Sequence, residues 1–172
     1  MKNAPSPAIL AFSDGAVFSG ESAGFGGTAV GEAVFNTAMS GYQEIISDPS
    51  YRRQIVNFTH PHIGNTGATP ADDESPHNFA AGIIARKITA VPSNWRAKEP
   101  LGDYLRARKI PAICGIDTRA VTRKLRDGGA MSACIACGED DKTRADAVAA
   151  AAAFGGLQGA MLAAEAGCGR GM

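Results

Sequence analysis

The residues with the most chemical reach fall in a few short runs. Cys134-Ile135-Ala136-Cys137 is a Cys-x-x-Cys pair, the spacing used for thiol–disulfide exchange or for half of a zinc site. It lies in an apolar run, Met131 to Cys137, that reads as a strand, where residues three apart face opposite ways. No second Cys or His pair supplies the remaining ligands, so these read as strand cysteines. Cys168 sits in Ala166-Gly167-Cys168-Gly169-Arg170-Gly171. The Gly-x-Cys-x-Gly elbow of a cysteine nucleophile needs a strained strand-to-helix turn and a neighbouring base. Ala166 stands where that elbow has Gly, no apolar strand precedes it, and four residues follow it. It reads as a tail thiol, and no catalytic residue is assigned.

Other runs carry weaker signals. His60-Pro61-His62, His77 and the acidic Asp72-Asp73-Glu74 hold metal-ligand types, but no His pair has helical i, i+4 spacing. They read as a solvated loop, with no metal. Gly24-Phe25-Gly26-Gly27-Thr28-Ala29 matches the Gly-x-Gly-x-x-Ala dinucleotide fingerprint, which requires a helix opening behind it. A β-like run follows instead, so it reads as a connector, and a dinucleotide-binding oxidoreductase rests on this motif alone. Arg119, Arg123, Lys124 and Arg126 give one helix a basic face, by default solvated and otherwise suited to an acidic partner. Nothing fixes the separation of Glu32 and Glu44. In Asp48-Pro49-Ser50-Tyr51, Pro49 fixes its own φ and restricts Asp48, which presets Ser50. The hydroxyl of Ser50 both donates and accepts; by itself it reads as a turn or capping serine.

The elements that must hold these residues are legible by period. Ala8 to Phe12, Ser13-Asp14-Gly15 and Ala16 to Phe18 predict a β-hairpin, since Asp-Gly tolerates the positive φ of a tight turn. Glu32 to Met39 and Gln54 to Thr59 predict strands, Tyr42 to Ile46 a helical turn, and Ala81 to Ala85 a buried strand. A long polar loop spans Pro61 to Asn78, a length that goes with function or mobility. Helical spacing begins at Pro100. Ile110 to Ile116 is a strand, and Asp117 caps a helix over Thr118 to Arg126 that pairs Val121 with Leu125. Asp127-Gly128-Gly129 ends it. Met131 to Cys137 is a further strand and Thr143 to Phe154 an Ala-rich helix. The fold class is α+β: a layered β/β/α domain with mixed sheets and helices on one face.

At 172 residues the chain reads as one domain over 1–162 with an unstructured tail from 163. A domain of that size buries roughly 70% of its unfolded surface. With 45% hydrophobic and 20% charged residues it is globular rather than disordered. The 17 basic and 17 acidic residues cancel, which argues against a broad nucleic-acid footprint and against steering to an anionic membrane. The apolar run at the N-terminus, Ala8 to Phe12, is too short for a signal segment, and no run reaches membrane-spanning length. Four cysteines without a secretory signal read as reduced thiols in the cytoplasm.

Taken in order, several blocks resemble the N-terminal domain of the small, glutamine-using subunit of carbamoyl-phosphate synthetase. They are Asp14-Gly15, Gly31-Glu32 leading to Phe35-Asn36-Thr37, Met39-x-Gly41-Tyr42-Gln43-Glu44, Asp48-Pro49-Ser50-Tyr51, Gln54-Ile55-Val56, Pro61-His62-Ile63-Gly64-Asn65, Ser93-Asn94-Trp95-Arg96, Gly115-Ile116-Asp117-Thr118-Arg119 and Leu125-Arg126-Asp127-Gly128-Gly129. The resemblance covers roughly residues 8 to 162.

That resemblance implies a ligase subunit whose C-terminal glutaminase domain is absent from this sequence. Glutamine-derived ammonia would pass to a large subunit that uses ATP and bicarbonate to make carbamoyl phosphate for arginine and pyrimidine synthesis. It implies that Ser50 contacts L-glutamine at the edge of the glutaminase pocket, and that His62 has a structural, loop-fixing role. The implied partners are the large subunit, the glutaminase domain of the same subunit and L-glutamine. No cofactor is bound by this chain, and alone it is inactive. The alternative is a non-catalytic protein-interaction or assembly module, favoured by the lack of a nucleophile–base pair.

Overall fold

The computed structural model describes residues 6–157. The boundary at Leu162, the tail beyond it and Cys168 lie outside the described residues. Within them the order is β1 (Pro7–Phe12), β2 (Val17–Ser22), β3 (Ala29–Asn36), α1 (Tyr42–Ser47), β4 (Gln54–Phe58), β5 (His62–Ile63), β6 (Gly82–Ile84), β7 (Lys87–Ile88), α2 (Leu101–Ala107), β8 (Ala112–Cys114), α3 (Thr118–Gly128), β9 (Met131–Cys137) and α4 (Asp141–Ala153). Short 3₁₀ turns lie at Pro49–Tyr51 and Pro70–Asp72.

β1 is buried at every position from Ala8 to Phe12, so both of its faces must be covered. Ala8, Leu10 and Phe12 point into one cluster with Ala33, Ile55, Ile84, Ile113 and Ile135. Ile9 and Ala11 point into another with Cys134, Ala136, Ala147 and Ala151. The first cluster is the interior of a barrel closed in the order β1-β2-β8-β6-β4-β3-β9. The second is the seam under α4. The β3–β4, β4–β6 and β6–β8 pairs are parallel and the others antiparallel, so the sheet is mixed. β5 and β7 form a separate parallel pair.

The α+β class and the mixed sheet are as expected, and the two sheet layers are opposite walls of one barrel. The helices cover three sites rather than one face, because the barrel needs cover on more than one side. α4 lies on β1 and β9. α3 sends Val121 and Leu125 into the barrel interior. α1 and α2 send Tyr42, Ile46, Leu101, Tyr104 and Leu105 against Val56, Phe58, Ile83 and Ala112, on the outer side of β4, β6 and β8.

Local chemistry sets the boundaries. The Asn36 side chain accepts from the Ala38 N–H at 2.7 Å, which turns the chain and ends β3 three residues short of Met39. Asp117 caps α3 by accepting from Ala120 N at 2.9 Å, and Gly129 leaves that helix at φ 77°, a left-handed geometry suited to glycine. α4 begins at Asp141 rather than Thr143 because Asp140 caps Thr143 N at 2.9 Å.

The long loop after β4 is tied down. The Gln43 amide donates to Thr69 O (2.7 Å) and to Asp73 Oδ1 (2.6 Å), and accepts from Thr69 N (2.9 Å). Asp73 also accepts from the Tyr104 hydroxyl and from Arg108, both at 2.7 Å. The Arg108 guanidinium stacks 4.0 Å from the Tyr104 ring centre. Burial, then the bond to Asp73, pushes the Tyr104 hydroxyl well above the usual phenol range, so it stays a donor.

Replacing Asp73 with Ala strands three donors around a mostly buried position. The expected loss is about 2–4 kcal/mol of unfolding free energy, read from denaturant midpoints. A loss under about 1 kcal/mol means that the carboxylate is not a structural hub.

Candidate functional site

Ser50 lies in the 3₁₀ turn Pro49–Tyr51 and is exposed. Asp48 caps the turn by accepting from the Ser50 N–H at 2.8 Å, and Pro49 takes its first position, where a missing N–H costs nothing. The turn is anchored on both flanks. The Tyr51 hydroxyl accepts from Asn36 Nδ2 at 2.8 Å, and its ring packs against the α1–α2 core. Arg52 makes a β-bridge with Ala80 and lies over the Phe79 ring at 5.8 Å. The Ser50 side chain is thus held outward on a fixed turn.

Asn36 joins this turn to a second exposed segment. Phe35 and Met39 are 40% and 73% exposed, large for apolar side chains, and the backbone between them is fixed. The buried Tyr42 hydroxyl donates to Met39 O at 2.6 Å and lies 3.0 Å from Asn65 Oδ1. Ser93 N in turn donates to Asn65 O at 2.9 Å. The 91–97 loop continues this side of the molecule with Val91 and Trp95, the latter 92% exposed, and Arg96 pairs with Asp72 at 2.8 Å. An exposed hydroxyl on an anchored turn can hold a polar ligand, and exposed apolar side chains can meet a partner surface; among the described residues no base stands by to activate a nucleophile here.

The other sequence candidates separate. Cys134 is fully buried under α4, and burial raises its thiol to about 11. Cys137 is half-buried, with its sulfur 3.8 Å from Gly27 O. Burial, then the Glu21 carboxylate, raises the Cys114 thiol. These three cysteines are free thiols. Among the described residues no three His, Cys, Asp or Glu side chains converge as a metal site. His62 pairs with Lys87 across the small sheet and its side chain is exposed; the loop is fixed instead by buried Ile63 and by Asn65. At Gly24 a Cβ would meet Ile110 O at 2.4 Å, so glycine serves close packing there, and β3 rather than a helix follows. Glu32 accepts from Leu157 N at 3.3 Å, far along the fold from Glu44 on α1. The sequence reading missed Gln43 and Asp73 as the tie beneath this surface; a buried amide opposite a loop carboxylate has no local signature.

Residues 10–135 match the family described as carbamoyl-phosphate synthase small chain, CPSase domain. The chain is 56% identical over 159 residues to the carbamoyl phosphate synthase small chain of Pseudomonas syringae pv. tomato, covering 92% of this chain and 42% of that protein. It is 55% identical over 159 residues to the Pseudomonas aeruginosa protein of the same name, with the same coverage. To that of Thermosynechococcus vestitus it is 59% identical over 128 residues, or 74% of this chain and 34% of the relative. The chain therefore spans well under half the length of the relatives it matches.

Cys134 gives a test of the thiol assignments. With its pKa raised to about 11 from an ordinary 9.0, the neutral thiol is favoured. Its contribution to stability is full below pH 9 and fades as pH rises through 11. At pH 8 the native thiolate population is about 100-fold below that of the unfolded chain. Alkylation of Cys134, followed by mass spectrometry of its peptide, should be slower in the native state by at least that factor. Equal rates contradict the buried assignment.

Proposed function

The chain belongs to the carbamoyl-phosphate synthase small-chain family, and from that membership we propose that it is the portion of the small subunit that forms one wall of the glutamine site. Ser50 contacts L-glutamine, through the α-carboxylate or α-amino group, at the rim of a glutaminase pocket. The reactive thiol of that pocket comes from polypeptide other than these residues. Ammonia released there serves a large subunit that consumes ATP and bicarbonate, in the supply of carbamoyl phosphate for arginine and pyrimidine synthesis in the cytoplasm. The chain itself holds no cofactor and does not hydrolyse glutamine alone. The observation that carries this reading is the outward placement of Ser50 on a turn anchored through Asp48, Tyr51 and Arg52. A hydroxyl so fixed loses little further freedom when it binds.

A second reading, a non-catalytic assembly module, is supported by the exposed Met39, Val91 and Trp95. Pull-down of the large subunit with and without added glutaminase domain separates the two: capture that needs no glutaminase domain favours the module.

The decisive measurement is Ser50→Ala in a small subunit assembled with its large subunit. The expected result is a rise in KM for glutamine of about tenfold, one hydrogen bond to a charged group, with ammonia-driven synthesis unchanged. An unchanged KM removes Ser50 from the site. Release of ammonia from glutamine by the 172-residue chain, abolished by Cys168→Ser, overturns the inactivity of the chain alone.

A further inference from the structure

The basic face of α3 acquires a partner that the sequence does not show. Arg119, Arg123 and Arg126, spaced i, i+4 and i+7, line one side of an open cleft of about 530 Å³. Arg86, from the turn between β6 and β7, lines it as well. Its guanidinium donates to Ile116 O at 3.5 Å, which brings it to the start of α3. Lys124 does not take part: it turns away to pair with Asp14 and to lie 5.4 Å over the Phe12 ring. Thr59 and Pro61 form the far wall, and Thr118 and Thr122 lie along the helix. Below them Asn57, fully buried, donates to Thr118 O (3.2 Å) and Thr122 Oγ1 (2.9 Å), while its Oδ1 meets no donor among the described residues.

The cleft's charge is only partly answered. Arg126 pairs with Asp127 at 2.8 Å. Asp117 is the single carboxylate lining the cleft, and it is engaged as the cap of α3. The Ala120 N–H that it accepts is the main reason its pKa is lowered, with Arg123 and Arg86 adding to it. Among the described residues the Arg119 and Arg123 side chains make no hydrogen bond or ion pair, although they stand one turn apart. Like charges at that spacing repel along a helix, and a third guanidinium across the cleft adds to the repulsion. In a chain of zero net charge, four arginines against Asp117 and Asp127 leave a local excess of positive charge. Arginine's planar fork matches the oxygens of a phosphate group in a way that lysine does not. The volume falls within the range of small-molecule sites.

We propose that this cleft binds the phosphate group of a small phosphorylated molecule, through Arg119, Arg123 and Arg86. The site lies on the α3 end of the barrel and does not draw on Ser50 or on glutamine. The anion relieves the repulsion between the arginines, so binding stabilises the fold.

The test is titration of the 172-residue chain with inorganic pyrophosphate, read by thermal unfolding and by amide shifts in NMR spectra. Saturable binding is expected, with an upward shift in Tm and shifted amides confined to Arg86 and the 117–123 segment. Arg119→Ala and Arg123→Ala should each weaken binding at least about tenfold, and Arg123→Lys by a smaller factor. Lys142→Ala removes one positive charge on the distant α4 and should leave affinity unchanged. A nucleoside diphosphate that binds more tightly than pyrophosphate identifies a phosphorylated organic ligand; equal affinity identifies the free anion. Absence of saturable binding overturns the proposal. So does equal weakening by Lys142→Ala, which indicates diffuse charge, and so does binding of an acidic peptide in place of pyrophosphate.

Discussion

Burial of both faces of the strands is the constraint from which the rest of the structure follows. A strand such as β1, apolar from Ala8 to Phe12, has no side to give to water. The chain meets this by closing one face into a barrel and assigning the other to helices. β9 repeats the solution, with Ala133 and Ile135 inside and Cys134 and Ala136 under α4. β4 does so with Ile55 inside and Val56 and Phe58 under α1 and α2. α3 and α4 are each thereby committed to a sector of their own while α1 and α2 share a third, and the connections between sectors become long. The candidate surface is made of those connections.

Long connections need polar fastening, because their backbone groups cannot all be paired in a sheet. Gln43 and Asp73 supply it beneath the 64–80 loop, and Tyr42 and Asn36 supply it beneath the 36–39 segment and the Ser50 turn. Gln43, Tyr42 and Asn36 are side chains on regular elements gripping irregular ones, and Asp73 answers from the loop. The arrangement keeps Ser50, Phe35 and Met39 outward while most of the apolar content is consumed in three cores. The geometry of this surface is fixed, and burial pushes the Cys114 and Cys134 thiols toward the neutral form.

Much of this was legible locally. Asp14-Gly15 announced the β1–β2 hairpin, and Gly15 adopts φ 90° there. Met131 to Cys137 is a strand over that range, and Asp117 caps α3 as its position indicates. What local pattern did not carry was pairing over distance. The closure of β1 on β9, with Leu10 opposite Ile135, joins the first described strand to the last, and hydrophobic periodicity is blind to it. The spread of the helices follows from that closure and was missed for the same reason. The approach of Arg86 to Arg119 and Arg123 likewise depends on β6 and β8 being parallel neighbours. A charge on a tight turn, viewed in sequence, is indistinguishable from any other solvated arginine.

One consequence concerns light. Trp95 is the chain's lone tryptophan and stands almost wholly in solvent. Its indole meets nearly the same surroundings whether the barrel is intact or melted, so intrinsic emission barely registers loss of the fold. The same placement makes it a sensitive reporter of anything that comes to rest on the 91–97 loop, because an arriving surface changes its environment from aqueous to dry and moves its colour toward the blue.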